Sequence, residues 1–374
     1  MFLAIREISR AKVRFGLLMA AVGLLVFLIL TQQALQDGLL TGFVGAIKRQ
    51  SAPVLVYSVD GQRTLQGSII TPSLQRTIEG VDHVAAAGRI GQGTFTAEID
   101  GGKQVDVAVI GYDDPSLGGP DRISKGRQAK ADREAIGSSV DFSLGQKVSI
   151  VPPDAGSPPV TLTVVGLADD AQIQVTPTLF TPWDGYAAAV RTANPDATAV
   201  LPNAIGVRPA AGVSDQDLVG RIDDASAQAD ALTRQQAAEK APGVAQVRQS
   251  FQVIFLLYGL VVPLVTGLFF LIITFQKSAS LTLLRAIGAR SSTLVRSLLI
   301  QVVIVLGGGI AIGVLLYAPL SQAEVGSLAL RFNAGAVVFW SVLLVVLGLV
   351  SALASARRVL GIDPIEATVG GGRR

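Results

Sequence analysis

Residues 15–36 read FGLLMAAVGLLVFLILTQQALQ, a run of 22 positions without Asp, Glu, Lys, Arg or His. A helix needs about 20 predominantly apolar residues to cross a bilayer, whose hydrocarbon core has no water to solvate a charge. Working outward, residues 251–276, 298–318 and 334–356 repeat the pattern, and none holds any of those five residue types. Of 374 residues, 50% are hydrophobic and 16% charged, with a mean hydropathy of +0.51. A soluble domain carries about a quarter charged residues. The deficit lies in the four runs. The fold class is therefore a membrane α-helical protein of four transmembrane helices, with a polar insert between helices 1 and 2. The first run is too long for a secretory leader, and residues 31–35 hold no A-x-A-like cleavage site, so an uncleaved span is expected.

Charge sets the orientation, because short basic flanks stay on the cytoplasmic side. The N-terminal segment carries Arg6, Arg10, Lys12 and Arg14 against Glu7. The loop between spans two and three carries Lys277, Arg285, Arg290 and Arg296 and no acid. The tail has Arg357, Arg358, Arg373 and Arg374 against Asp363 and Glu366. These flanks hold 12 basic and 3 acidic residues, whereas residues 48–248 hold 18 basic and 23 acidic. Both termini are expected in the cytoplasm and the insert outside, in a multi-pass protein of the cell membrane. The pI of about 9.3 then reflects membrane orientation, with no nucleic-acid partner implied.

The chain has no cysteine, which excludes disulfides, zinc–thiolate sites, thiolate-held iron–sulfur clusters and a cysteine nucleophile. Its single histidine, His83, cannot build a multi-histidine metal site, and a surface turn suits it better than a ligand role. No G-x-x-x-x-G-K-[ST] phosphate loop occurs in the sequence, so no ATPase is expected in the chain itself. No catalytic residue, metal site or intrinsic cofactor is assigned.

Within the insert, apolar alternation predicts strands at residues 54–59, 104–110, 147–151 and 161–167. Helices are predicted at 72–79 and 215–238, with Pro- and Gly-rich loops at 113–120 and 152–159. The mixture predicts an α+β domain of one or two lobes. Leu35, Leu39, Phe43 and Ile47 recur every four residues past the first span, so its helix continues outward as a stalk. Val244, Val247 and Phe251 lead into span two in the same way. The alternative at both places is a plain linker.

In the loop after span two, Leu281, Leu284 and Ile287 lie at helical spacing, Arg285, Ala286 and Ala289 accompany them, and Gly288 is placed to end the helix. Such a helix can lie at the lipid surface or dock into a groove on a soluble partner. The run 284–289, Leu-Arg-Ala-Ile-Gly-Ala, resembles the signature of the FtsX-like permease family, the MacB-type ABC transporter permeases. Residues 4–15 look like that family's amphipathic start, and residues 356–367 resemble its ending. Ile110-Gly111-Tyr112, Leu144-Gly145-Gln146-Lys147-Val148 and Val164-Val165-Gly166-Leu167 follow in the order expected of its extracytoplasmic domain. One departure is Gln301, where many members carry a Glu early in span three.

The resemblance implies a separate cytoplasmic ABC ATP-binding subunit in two copies, with Mg-ATP bound there, and residues 281–289 as its coupling helix. Four spans are few for an alternating transporter, so a second copy of this chain in a symmetric dimer is also expected. The expected organisation is a cytoplasmic amphipathic helix at 1–14, span one with its stalk at 15–47, and the α+β domain at 48–248. Span two at 249–276, the coupling loop at 277–297 and span three at 298–318 follow. An outside loop at 319–333, span four at 334–356 and a cytoplasmic tail at 357–374 complete it.

Small residues inside the spans predict close helix contacts. Gly309 and Gly313 form a G-x-x-x-G step, and Gly259, Pro263 and Gly267 share a face of span two where Pro263 can bend or hinge the helix. Both sets suit packing within one subunit or a dimer seam. Tyr258 lies seven residues into span two, and its phenol needs a partner or anchors at the membrane interface. Tyr317 and Trp340 read as interface-belt residues. Gln33, Gln36 and Asp37 can line an amphiphile's entry or face headgroups.

Within the family, the opening residues 1–8 and 12–15 look most like haem-exporter permeases, which makes haem the expected transported substrate. Other cargoes carried by the family, namely lipoproteins, peptides and antibiotics, are the alternative. A third reading is a non-transporting mechanical transmitter that activates an extracellular cell-wall hydrolase.

Overall fold

The computed structural model describes residues 11–99, 102–153, 158–276, 291–320, 324–325, 328–329 and 332–360. The chain divides into two compact units. One comprises Asp37–Arg248 with Glu324–Ala329; the other comprises Met1–Gln36, Gln249–Ala323 and Leu330–Arg374.

The insert unit takes the end of helix α1 (Lys12–Lys48) and then strand β1 (Val54–Ser58). Helix α2 (Pro72–Glu79) begins where the Thr71 hydroxyl accepts the Leu74 N–H at 3.3 Å. Strands β2 (Val84–Ile99) and β3 (Lys103–Tyr112) pair antiparallel, and the one-turn α3 (Pro115–Gly118) follows. Then come β4 (Lys125–Gly126), β5 (Glu134–Ser138), β6 (Lys147–Ile150), β7 (Val160–Ala168) and β8 (Thr178–Pro182). Helix α4 (Trp183–Ala193), β9 (Ala204–Pro209), α5 (Asp215–Ala225), β10 (Ala229–Thr233) and α6 (Arg234–Glu239) complete the run.

These ten strands share one sheet, ordered β10-β1-β9-β2-β3-β8-β5-β7-β4, and β6 pairs with both β2 and β7. That double pairing closes β2, β3, β8, β5, β7 and β6 into a ring. Along β2 the exposed Thr94, Thr96 and Glu98 alternate with the buried Phe95 and Ala97 and the half-buried Ile99. Phe95 and Ala97 join Val107, Val148, Leu162 and Leu179 in one core. The other half of β2 pairs with β9, which pairs with β1, whose far edge takes β10. There Val54, Val56, Ile205 and Val207 pack against Leu74 and Ile78 of α2 and Leu218 and Ile222 of α5. The 16-residue β2 thus serves two lobes. Gly111 of the Ile-Gly-Tyr motif leaves room for the Tyr186 ring, which any side chain there would strike.

The predicted strands form with shifts of one or two residues at their ends, and α2 has its predicted bounds. The predicted helix over 215–238 is wrong. Alpha5 stops at Ala225, Ser226 is extended, and residues 229–233 become a strand because β1 offers its free edge. A helix restarts only at the Thr233–Gln236 capping box. His83 lies in an exposed turn between α2 and β2, with a left-handed φ of 72°.

The stalk is built into its unit. Val175 and Gln174 donate their N–H groups to the Gly42 and Phe43 carbonyls at 2.8 and 2.9 Å, and Ala46 N–H donates to the Gln172 carbonyl at 2.7 Å. Gly45 is required at this junction, since a Cβ there would collide with the Asp170 carbonyl oxygen. The segment wraps the helix closely enough that Asp170, Gln174 and Val175 all adopt positive φ.

The bundle unit holds residues 12–36 of α1, α7 (Val244–Gln276) from Gln249 onward, α8 (Ser291–Leu320) and α9 (Ala334–Leu360). All four helices are long and apolar enough to cross a membrane. Phe15, Leu18, Val22, Val26, Ile29 and Ala34 recur every three to five residues and bury one face of α1. They meet Val302, Val305 and Leu306 of α8 and Leu344 of α9, and among the described residues α7 adds Val262 to this buried cluster.

Candidate functional site

The predicted substrate residues occupy different surroundings. Gln33 of α1 accepts the Trp340 indole N–H of α9 at 3.4 Å. Trp340 lies against Phe255 of α7, with ring centroids 5.1 Å apart, and against Phe339 at 5.5 Å. Phe251 extends the group one turn along α7, 6.4 Å from Phe255. Three helices therefore converge on one aromatic cluster with a single amide at its edge. Gln36 is buried; Tyr258 is half-buried against the bundle core and makes no hydrogen bond among the described residues. Asp37 is half-buried and belongs to the insert unit.

Trp340 and Tyr317 are not lipid-facing belt residues as expected. Both are buried. Trp340 turns inward because its N–H finds Gln33, and the Tyr317 ring packs 5.6 Å from Phe332. The signal missed in the sequence is the i, i+4 pair Phe251 and Phe255, which forms an aromatic stripe facing Trp340.

The small residues separate into two kinds. A Cβ on Gly309 would sit 2.5 Å from Val22 Cγ1, and one on Gly313 would sit 2.6 Å from Val26 Cβ. This G-x-x-x-G step seats α8 against α1 inside one chain. Gly259 has open space around it, and Gly267 is buried. The Pro263 carbonyl accepts the Ser351 hydroxyl of α9 at 2.8 Å, which ties the proline turn to a neighbouring helix. Gln301 is buried in α8. The proposed coupling residues, Leu281, Leu284, Arg285, Ala286, Ile287, Gly288 and Ala289, lie outside the described residues.

No cluster able to hold a metal ion occurs among the described residues. The most shifted carboxylate of the insert is structural. Arg127 donates to both Glu134 oxygens at 2.5 and 2.8 Å, and with the Lys130 N–H it holds that carboxyl down at about 2. Among the described residues, what the bundle offers is a mostly buried aromatic cluster of Phe251, Phe255 and Trp340 with one amide, Gln33, at its edge. That chemistry suits a flat amphiphile.

No protein-family model matches the chain. Over 114 residues it is 29% identical to a hemin transport system permease protein, HrtB, of Staphylococcus epidermidis. The chain is similar to HrtB permeases. The same degree of identity, 29% over 111 residues, relates it to HrtB of Staphylococcus haemolyticus. The matched stretch spans 30% of this chain and about a third of each relative, 32% and 31%. Among solved structures, the chain resembles the periplasmic region of MacB from Actinobacillus actinomycetemcomitans at 10% identity and a TM-score of 0.35, covering 50% of this chain and 91% of that one. It also resembles the extracellular domain of the noncanonic ABC-type transporter YknZ from Gram-positive bacteria, at 14% identity and a TM-score of 0.31, covering 48% and 99%.

Proposed function

We propose that the chain is the permease subunit of an ATP-driven ABC exporter that takes an amphiphile, haem, from the outer leaflet of the cell membrane and expels it. The HrtB match carries this reading, joined to four apolar helices with an α+β insert after the first. Energy comes from two copies of a cytoplasmic ATP-binding subunit, which dock on residues 281–289. Two copies of the permease face each other, and the cargo lies between them with both termini in the cytoplasm. Haem is flat and apolar and carries two propionates, so an aromatic surface beside polar margins suits it.

The transmitter reading needs a large exposed apolar patch on the insert for a partner protein. Among its described residues, the large exposed apolar side chains there are Val59, Ile69, Leu144 and Leu201. Four such side chains leave exporter activity as the favoured reading. The test is ATP hydrolysis by the complex of the chain with its ATP-binding subunit in lipid nanodiscs. Haem is expected to stimulate the rate several-fold, and lipopeptides are not. Stimulation by lipopeptides alone would replace the cargo, and assembly with no ATP-binding subunit would overturn the reading.

A further inference from the structure

A cleft of about 300 Å³ opens within the insert unit, where the outward end of α1, helix α6 and the first turns of α7 meet. Its floor is apolar, formed by Leu40 and Val44 of α1 and Val244 of α7. Its rim carries Lys48, Arg234 and Arg248 against one acid, Glu239. This concentration of cations runs against the insert's own balance of 18 basic and 23 acidic residues.

The cations differ in how far they are engaged. Arg234 donates to the Gln50 carbonyl at 2.6 Å and lies 3.9 Å from Asp121. Lys48 and Arg248 are exposed and form no ion pair among the described residues. Glu239 accepts a hydrogen bond from Gln235 at 3.0 Å. Two cations are therefore available above an apolar floor. Their place along the chain is also telling, because Arg248 lies three residues before Phe251, where the apolar run of α7 begins. Leu40, Val44 and Lys48 follow at four-residue steps on one face of α1, just past its own apolar run.

We propose that this cleft is a headgroup subsite for an anionic amphiphile. Lys48 and Arg248 take the carboxylate or phosphate, and Leu40, Val44 and Val244 take the adjoining apolar part. In its carboxylate form the subsite rests on the transport reading above and holds the propionate end of the cargo. A phosphate-headed lipid offers the same chemistry from a second source.

The test uses the full-length chain in nanodiscs and single and double variants Lys48→Gln and Arg248→Gln. Three probes are titrated: haem, haem dimethyl ester, which lacks the negative charges, and phosphatidylglycerol counted by native mass spectrometry. The double variant is expected to weaken haem binding about fivefold or more, with little change for the dimethyl ester. Lys48→Arg with Arg248→Lys should restore it, and added salt should weaken only the wild type's preference for haem over its ester. A loss confined to phosphatidylglycerol would assign the subsite to a lipid headgroup. Unchanged binding of both anionic probes by the double variant would overturn the proposal. Charge-dependent haem binding with no stimulation of ATP hydrolysis would keep the subsite and reject the transport reading, so the two fail separately.

Discussion

Helices α1 and α7 are near equals as sequence, both long, apolar and free of charge across their spans, yet they live in different surroundings. Among the described residues, 39% of an apolar stretch within Lys12–Lys48 of α1 is buried, against 11% within Val244–Val265 of α7. Part of the difference lies in what faces them. Alpha8 presents Gly309 and Gly313 to Val22 and Val26, so the α1 backbone approaches closely. Alpha7 carries its own glycine, Gly259, with nothing opposite, and exposes Val253, Leu256, Leu257, Leu260 and Leu264. Interior position in a bundle is decided by small residues on the neighbour, because lipid is as apolar as leucine and gives no preference for burial.

The sharpest way to break this contrast is one substitution made on each side. Gly313→Leu must push α8 off α1 and is expected to cost about 3 kcal/mol, read as thermal unfolding in detergent. Gly259→Leu, placed in open space, should stay within about 0.5 kcal/mol of wild type. Equal losses would mean that the two glycines do not differ as described. Alpha1 is also held beyond its span, so Gly45→Val should expel residues 170–175 from the stalk at a cost of about 1–3 kcal/mol. Hydrogen exchange at the Gln174 and Val175 amides would show it, and protection unchanged from wild type would count against the junction.

Smaller effects test the few polar ties between helices. Trp340→Phe removes the N–H that Gln33 accepts and should cost about 1 kcal/mol, read as thermal unfolding, with Trp183 left as the one fluorescent tryptophan. Ser351→Ala, which frees the Pro263 carbonyl, should cost about 0.6 kcal/mol. A Ser351→Ala loss larger than that of Gly313→Leu would shift the weight from close packing to hydrogen bonding.

Much of the architecture could be read before any coordinates. The four runs are helices, the stalk continues to Lys48, and the alternating segments of the insert are strands. Those signals are local, carried by charge-free length and by periods of four or two. Closure of the sheet was not legible, because it depends on β6 meeting β2 about fifty residues away in sequence. The false helix over 215–238 arose because an Ala- and Gln-rich run has helical propensity, while the edge of β1 lies far off in sequence. The candidate site was half legible. Gln33 was singled out, but its partner Trp340 was placed facing lipid, since amphipathic residues look alike from either side of a helix. The cleft cations Lys48, Arg234 and Arg248 come from three separate helices, and no single stretch of sequence joins them.

If two copies of the chain pair as proposed, we propose that α7's open face meets the second copy, whereas the exposed face of α9 meets lipid. The natural sequence has no cysteine, so single cysteines report cleanly. Leu256 of α7 is 75% exposed and Val338 of α9 is 62% exposed, which makes them matched probes. Leu256→Cys and Val338→Cys would each be oxidised in native membranes and the fraction of disulfide-linked dimer measured. Ready cross-linking is expected through position 256 and little through 338. Cross-linking through 338 alone, or equal trapping at both, would contradict it.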